Sequence, residues 1–416
     1  MKKTPEELFA ERKRRVRDAI ELREPDRVPF LPFYHFFPAK YAGITCAEAM
    51  NDYDKLSMAW KKVTIDFEPD MYNNPFPSLG YGELLKTLDF RQMQWPGGQL
   101  SPDSAFQFVE KEYMKAEEYD DFLFDPTDYI QRVFLPRIFG TLEPLTMLAP
   151  TPSMIYTRFL TGTAILGHPE IAKALASLLK AATEAQKWLS ANIALAKEMA
   201  ALGFPAQFGA VAFAPFDYFG DFLRGTRGVM LDMMRQPDKL LEAIDKMIVY
   251  TLRGIMDNVS ASGVPVAFIP LHKSIDAFMS PAQFKTFFWP SLQKIVLELI
   301  DREITPCLFW EGKCDSRLEI IKNVPRGKAI YWFEQTDLFQ AKKVLGNRVC
   351  IRGNVPASML CMAGPQEVWD YCKKLIEVVG KGGGFILDGG AGIPDETRPE
   401  NLKAMAEAVK KFGVYA

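Results

Sequence analysis

The sequence predicts an α/β fold: a (β/α)8 TIM-type barrel with an N-terminal helical extension and an insertion at about 75–140. Three observations lead there. Over residues 264–412, short apolar runs alternate with helical ones, the rhythm of parallel βα units. The runs are apolar throughout, as strands buried on both faces are. Together with three earlier apolar runs they make about eight, which suits a closed barrel better than an open sheet. No G-x-G-x-x-G opens a helix after a strand, so a dinucleotide-binding sheet is disfavoured. The whole of 1–416 reads as one barrel domain.

The elements follow in order. Residues 4–22 form a helix, with Thr4 as N-cap, Pro5 at the first helical position and Glu7 completing a capping box. The proline-bounded run 28–34 is the first buried strand. Residues 45–66 read as helix. The stretch 75–140, rich in Pro, Gly, aromatics and acids, is too long for an ordinary loop; it carries short elements of its own and caps something. A short strand is expected within 142–151. Residues 168–202 are periodic and helical, as two helices or one bent helix, closed by Gly203. Strand 206–213 and helix 224–253 come next.

The alternating half then begins. Strand 264–270 precedes helix 280–302, which starts on Ser280, Pro281 and Gln283. Strands 305–310, 328–333, 348–353 and 384–388 alternate with helices 315–323, 337–345, 365–380 and 399–412, and Gly413 closes the last.

Composition narrows the function. Apolar residues are 48% and charged residues 25% of 416, which excludes a disordered chain or a disulfide scaffold. The formal net charge of −2 gives no long-range attraction to phosphate backbones or anionic lipid, so neither nucleic acid nor membrane is expected as a partner. The basic stretch Lys13, Arg14, Arg15 is balanced by Glu6, Glu7 and Glu11. Six scattered cysteines with no C-x-x-C pair read as a reduced, cytoplasmic chain. Thr4-Pro5-Glu6-Glu7 follows the Met-Lys-Lys start, so no signal peptide is read, and no run of 18 apolar residues occurs.

In such barrels the chemistry sits at the C-terminal strand ends. The polar residues falling there are Tyr34 and His35, Asp217, His272 and Lys273, Glu311 and Cys314, Glu334 and Asp337, Arg352 and Asn354, and Asp388. Each alone would serve as a loop hydrogen bond or a cap; as a set they describe a pocket. Only His35, His168 and His272 are histidines and H-E-x-x-H is absent, so a multi-histidine metal site is disfavoured. Glu311 and Cys314 would be metal ligands only if a metal is bound, and a plain loop is the simpler reading. Asp388-Gly389-Gly390-Ala391-Gly392 has backbone N–H groups suited to an anion, but no G-x-x-x-x-G-K-[ST] accompanies it. G-x-S-x-G is absent too. The 31 phenylalanines are mostly core, yet they also suit a pocket for an aromatic or macrocyclic ligand.

Several segments resemble the uroporphyrinogen decarboxylase superfamily. They are Arg27-Val28-Pro29-Phe30 with Gly43-Ile44-Thr45, Phe222-Leu223-Arg224-Gly225 through Leu231-Asp232 with Gln236-Pro237, and Ser280-Pro281 through Phe287 and Pro290. The closing half is the most specific: Arg352-Gly353-Asn354-Val355-Pro356, Gly364, Glu367-Val368, Gly384-Phe385-Ile386-Leu387, Gly392-Ile393-Pro394 and Pro399-Glu400-Asn401. The resemblance implies a (β/α)8 barrel and one of two activities: decarboxylation of a tetrapyrrole's acetate arms, or methyl transfer involving a corrinoid.

The decarboxylases carry Arg-Gln-Ala-Gly-Arg after the first strand, where arginines pair with substrate carboxylates. Here that place reads Phe33-Tyr34-His35-Phe36-Phe37-Pro38. The thiol-directed methyltransferases carry His-x-Cys and a later Cys as zinc ligands; here those places read Trp310-Glu311-Gly312 and Ala391. What remains is similar to the O-demethylase branch, in which a small donor, often an aryl methyl ether, passes its methyl group to Co(I) of a separate corrinoid protein. This chain has no D-x-H-x-x-G, so cobalamin would arrive on a partner. Glu311 and Glu334 are the candidate acids, with Tyr34, His35, Asp217, His272, Arg352, Asn354 and Asp388 shaping the substrate site. Zinc stays open, as does the choice between monomer and homodimer. The alternatives are uroporphyrinogen decarboxylase activity and a non-catalytic binding barrel.

Overall fold

The computed structural model describes residues 3–415. A small antiparallel ribbon, β1 (Met93–Gln94) with β2 (Gln107–Phe108), lies in the insertion. The main sheet runs β3 (Ala210–Val211), β4 (Val266–Leu271), β5 (Thr305–Trp310), β6 (Ile330–Phe333), β7 (Cys350–Val355) and β8 (Phe385–Gly389), each parallel to the next. Every residue of β6, β7 and β8 is buried, which is why the sequence there shows no polar alternation.

Two extended segments close the ring. Leu387 donates its N–H to Pro29 O at 2.9 Å, and Leu31 donates to Leu387 O at 3.1 Å, so 28–34 lies parallel to β8. Asp70 then donates to Phe30 O at 2.9 Å, Tyr72 donates to Pro205 O at 2.9 Å, and Gln207 donates to Tyr72 O at 3.1 Å. The chain thus places 70–73 between 28–34 and 206–211. Pro29 and Pro32 lack N–H groups, which keeps the first segment to isolated bridges.

The second barrel position corrects one expectation. Residues 142–151 are not a strand: Gly140–Met147 is a 3₁₀ helix, and its Leu142 and Leu145 pack against Ala174 and Ala181 of the helix Pro169–Ala201. Other boundaries also shift. Asp52 splits 45–66 by accepting N–H bonds from Asp54 and Lys55, giving the helices Cys46–Asn51 and Tyr53–Phe67. Residues 168–202 form one 33-residue helix, and 224–253 divides at Gln236-Pro237 into Gly225–Arg235 and Pro237–Ser262. The helix expected at 315–323 is a 3₁₀ turn, Asp315–Arg317, followed by Leu318–Ile321. Both expected capping boxes, Thr4 with Glu7 and Ser280 with Gln283, form.

Alternation along the strands separates two cores. Phe268, Phe309, Ile330, Trp332 and Ile386 fill the barrel, while their neighbours Ile269, Leu308, Tyr331 and Leu387 join the layer beneath the helices. Phe309 and Trp332 stack with centroids 4.0 Å apart. Among the described residues, no helix is long and apolar enough to cross a membrane.

Candidate active site

A cavity of about 480 Å³ opens at the C-terminal ends of the strands, between the 33–35 segment, β4, β5 and the insertion. Phe33, Phe268 and Phe309 rise from the barrel to form its floor; Phe76, Phe106 and Phe108 cover it from the other side. The insertion thus contributes part of the cavity lining.

One polar cluster breaks this aromatic lining. β4 ends at Leu271, so His272 and Lys273 stand on its C-terminal tip. Their backbone N–H groups each donate to the buried carboxylate of Asp217 at 3.0 Å. Burial and neighbouring Asp221 push the Asp217 carboxyl up to about 8, while those N–H donors and His272 pull it down. Asp217 thus fixes the tip without reaching the cavity.

The next helical segment, Tyr218–Leu223, is wound as a π-helix and carries Asp221. Its Oδ2 lies 2.6 Å from His272 Nδ1 and its Oδ1 3.1 Å from Lys273 Nζ. On the other side, Glu311 Oε1 lies 3.3 Å from His272 Nε2. Burial alone would lower the imidazole pKa, but the two carboxylates outweigh it and raise it to about 11. His272 is therefore an imidazolium held at both nitrogens, 30% exposed toward the cavity. His35 faces the same cavity, and burial lowers its pKa despite Glu311, leaving a neutral imidazole.

Glu311 owes its position to the turn that follows. Gly312 has φ +64°, and a Cβ there would meet Ile275 at 2.8 Å, so the turn requires glycine. The Gly312 N–H donates to Glu334 Oε2 at 2.5 Å. Glu334 is thus a clamp on the Glu311 loop and lines a neighbouring depression of about 620 Å³ with Asp337 and Asn354. Asn354 donates to the carbonyls of Thr336 at 2.8 Å and Glu334 at 3.3 Å.

The remaining expected residues lie deeper. Arg352 and Asp388 pair inside the barrel at 2.9 Å, and Arg352 also donates to Leu31 O and Gln207 Oε1. Asp388 accepts from the N–H groups of Phe33 and Gly389; burial lifts its carboxyl to about 7 against the pull of Arg352. Tyr34 is buried, with its ring stacked on Phe37 and its hydroxyl unpartnered. Of the expected set, the structure brings His35, His272 and Glu311 together in the cavity, backs them with Asp217 and Glu334, and keeps Tyr34, Arg352, Asn354 and Asp388 out of it.

A metal at Glu311 and Cys314 does not fit. The Cys314 Sγ is fully buried, 3.7 Å from the Glu311 carbonyl oxygen and 3.9 Å from Ser274 Oγ, and burial pushes the thiol up to about 12. His272 has both nitrogens engaged. Among the described residues, no group of three or more His, Cys, Asp or Glu side chains is arranged to hold a metal ion.

Asp221 and Glu110, which approaches Lys273 Nζ at 3.5 Å, were not expected from the sequence. The available signal for Asp221 was its i,i+4 spacing from Asp217, one helical turn beyond a strand end.

Residues 167–412 match the family model described as uroporphyrinogen decarboxylase (URO-D). The chain belongs to the uroporphyrinogen decarboxylase family. Among relatives within it, a uroporphyrinogen decarboxylase of Coxiella burnetii (strain Dugway 5J108-111) is 26% identical over 187 residues, covering 44% of this chain and 50% of that one. Another, of Methylococcus capsulatus, is 34% identical over 77 residues, 18% of this chain and 22% of that one. The matched stretch spans half or less of these relatives' own length. In fold, this family member is similar to a methyltransferase from Methanosarcina mazei, with a TM-score of 0.60, 15% identity, and 96% and 98% of the two chains covered. At that identity the likeness speaks for the fold.

Proposed function

We propose that this chain moves a methyl group from a small aryl methyl ether to Co(I) of a corrinoid carried by a separate protein. The observation that carries the reading is the cavity lining: phenylalanine rings around one imidazolium, with no arginine. Three carboxylates, Glu110, Asp221 and Glu311, face one ammonium, Lys273, and one imidazolium, His272. Such a wall repels a polycarboxylate and suits a neutral aromatic guest.

The chemistry follows from what a methoxyarene lacks. Its methyl carbon accepts an electron pair from Co(I), but phenolate is a poor leaving group. The phenylalanine floor orients the ring. As the C–O bond breaks, its electron pair passes to oxygen, and the proton held between His272 Nε2 and Glu311 moves to that oxygen. The products are a phenol and methylated cobalt. Asp221 keeps the imidazolium charged and aimed, and Glu334 holds the Glu311 loop. In this reading the corrinoid acceptor comes on its own protein and meets the mouth of the cavity.

That the Methanosarcina mazei protein of similar fold is a methyltransferase agrees with this reading. The uroporphyrinogen decarboxylases among its relatives favour the alternative, but an octacarboxylate would meet three carboxylates here. The test is incubation with reduced cobalamin and a panel of methoxybenzenes, following methylcobalamin absorbance. Methylcobalamin formation with at least one donor supports the reading. No methylcobalamin with any of them, together with carbon dioxide release from uroporphyrinogen, overturns it.

A further inference from the structure

A second chamber lies behind the reaction cavity. It measures about 650 Å³ and lies between the helix Pro237–Ser262 and the 126–139 segment of the insertion. No charged side chain lines it; Phe134, Ile138, Leu223 and Met247 give it apolar walls. Three residues, Gln92, Phe213 and Phe222, line both chambers.

The partition between the chambers is aromatic and thin. Phe213 meets Phe222 edge to face with centroids 4.9 Å apart, and Tyr218 lies 6.0 Å from Phe213. On the reaction side, the Phe213 ring is 6.0 Å from the His272 ring. Tyr218 and Phe222 belong to the same π-helical segment that carries Asp221. A second π-helix, Ile130–Phe134, borders the far wall. One irregular segment thus places the imidazolium's carboxylate in the first chamber and the partition to the second.

An uncharged chamber of this size next to a small reaction cavity is costly to leave filled with water. We propose that it receives an apolar extension of the methyl donor, so that the preferred substrates are methoxyarenes with a hydrocarbon substituent rather than bare methoxybenzene. The proposal rests on the aryl methyl ether reading above and adds the substrate's second half. Rotation of Phe213 or Phe222 joins the chambers; the methoxy group stays beside Glu311 while the substituent passes between the rings. Discrimination is then by chain length, and Phe213 and Phe222 set it.

The test is a binding measurement on the full chain with 4-alkylphenols, from 4-methylphenol to 4-hexylphenol, by titration calorimetry. These carry no transferable methyl, so binding is read apart from turnover. The expected result is a Kd that tightens two- to fourfold for each added methylene, the range set by burying a CH2 group. Gln131→Trp, at an exposed position on the chamber's edge, is expected to abolish that gain and leave the Kd of 4-methylphenol within twofold. Met247→Trp, which fills the chamber from its other side, is expected to do the same and serves if the first variant misfolds. A Kd flat in chain length, or a gain that survives both variants, overturns the tail chamber while leaving the aromatic cavity standing. Failure of every phenol to bind, 4-methylphenol included, overturns the aromatic reading and the tail chamber with it.

Discussion

Nε2 of His272 lies 3.3 Å from the Glu311 carboxylate, and both residues line the aromatic cavity. The two residues come from neighbouring strands, β4 and β5, whose parallel register carries Leu271 opposite Trp310. Pairing of the strands therefore sets the spacing of these two side chains.

His272→Gln removes the imidazolium that holds the transferred proton. Methyl transfer is expected to fall by about 10²–10⁴-fold, the usual contribution of a positioned acid. Glu334→Gln keeps the acid and loosens only the Gly312 clamp, so about tenfold or less is expected. Single-turnover rates on both variants check the order; equal losses would contradict it.

Asp221→Asn takes away a carboxylate that raises the His272 pKa. The wild type should hold its rate from pH 7 to well above 9, since the imidazolium titrates at about 11. The variant should show an alkaline limb at least one unit lower, read from kcat against pH. Coincident profiles would separate Asp221 from the acid.

Stability should follow the same group. The folded pKa of His272 is above its ordinary 6.5, so its contribution is complete below about pH 6.5 and is lost as pH rises through about 11. Denaturant titrations of wild type and His272→Gln should differ most at pH 6, by about 2 kcal/mol, and converge by pH 10–11. A gap that widens with pH would reverse the sign.

Arg352→Met leaves Asp388 buried without its partner. A loss of about 3–5 kcal/mol is expected in chemical denaturation, with part of it recovered in Arg352→Met/Asp388→Asn. The single variant should lose its rate only in proportion to the folded fraction, because the pair lies beneath the cavity and not in it.

The barrel was legible in the sequence wherever strands are buried on both faces, because 264–388 then reads as unbroken apolar runs. It was not legible at 70–73, where Asp70-Met71-Tyr72-Asn73 is short and polar at both ends. Asp70 serves there as a buried partner for Arg15 and Arg27, and such a role has no periodic signature. The run 142–151 looked like a strand because apolarity alone cannot separate a strand from a short helix packed outside the barrel. In the cavity, strand-end logic anticipated the placement of His272 and Glu311, which directly follow β4 and β5. Arg352 and Asp388 lie within β7 and β8 and pair inside the barrel, a placement strand-end logic does not foresee. Asp221 sits a full turn into a helix, where strand-end logic does not look.

In the proposed reaction His272, paired with Glu311, delivers a proton to the departing phenol. The most direct measurement compares 4-nitromethoxybenzene with methoxybenzene in the wild type and in His272→Gln, using single-turnover formation of methylcobalamin. A nitrophenolate leaves without help, so a defect of at least about 100-fold is expected with methoxybenzene and nearly none with the nitro donor. Equal defects with both donors would contradict it.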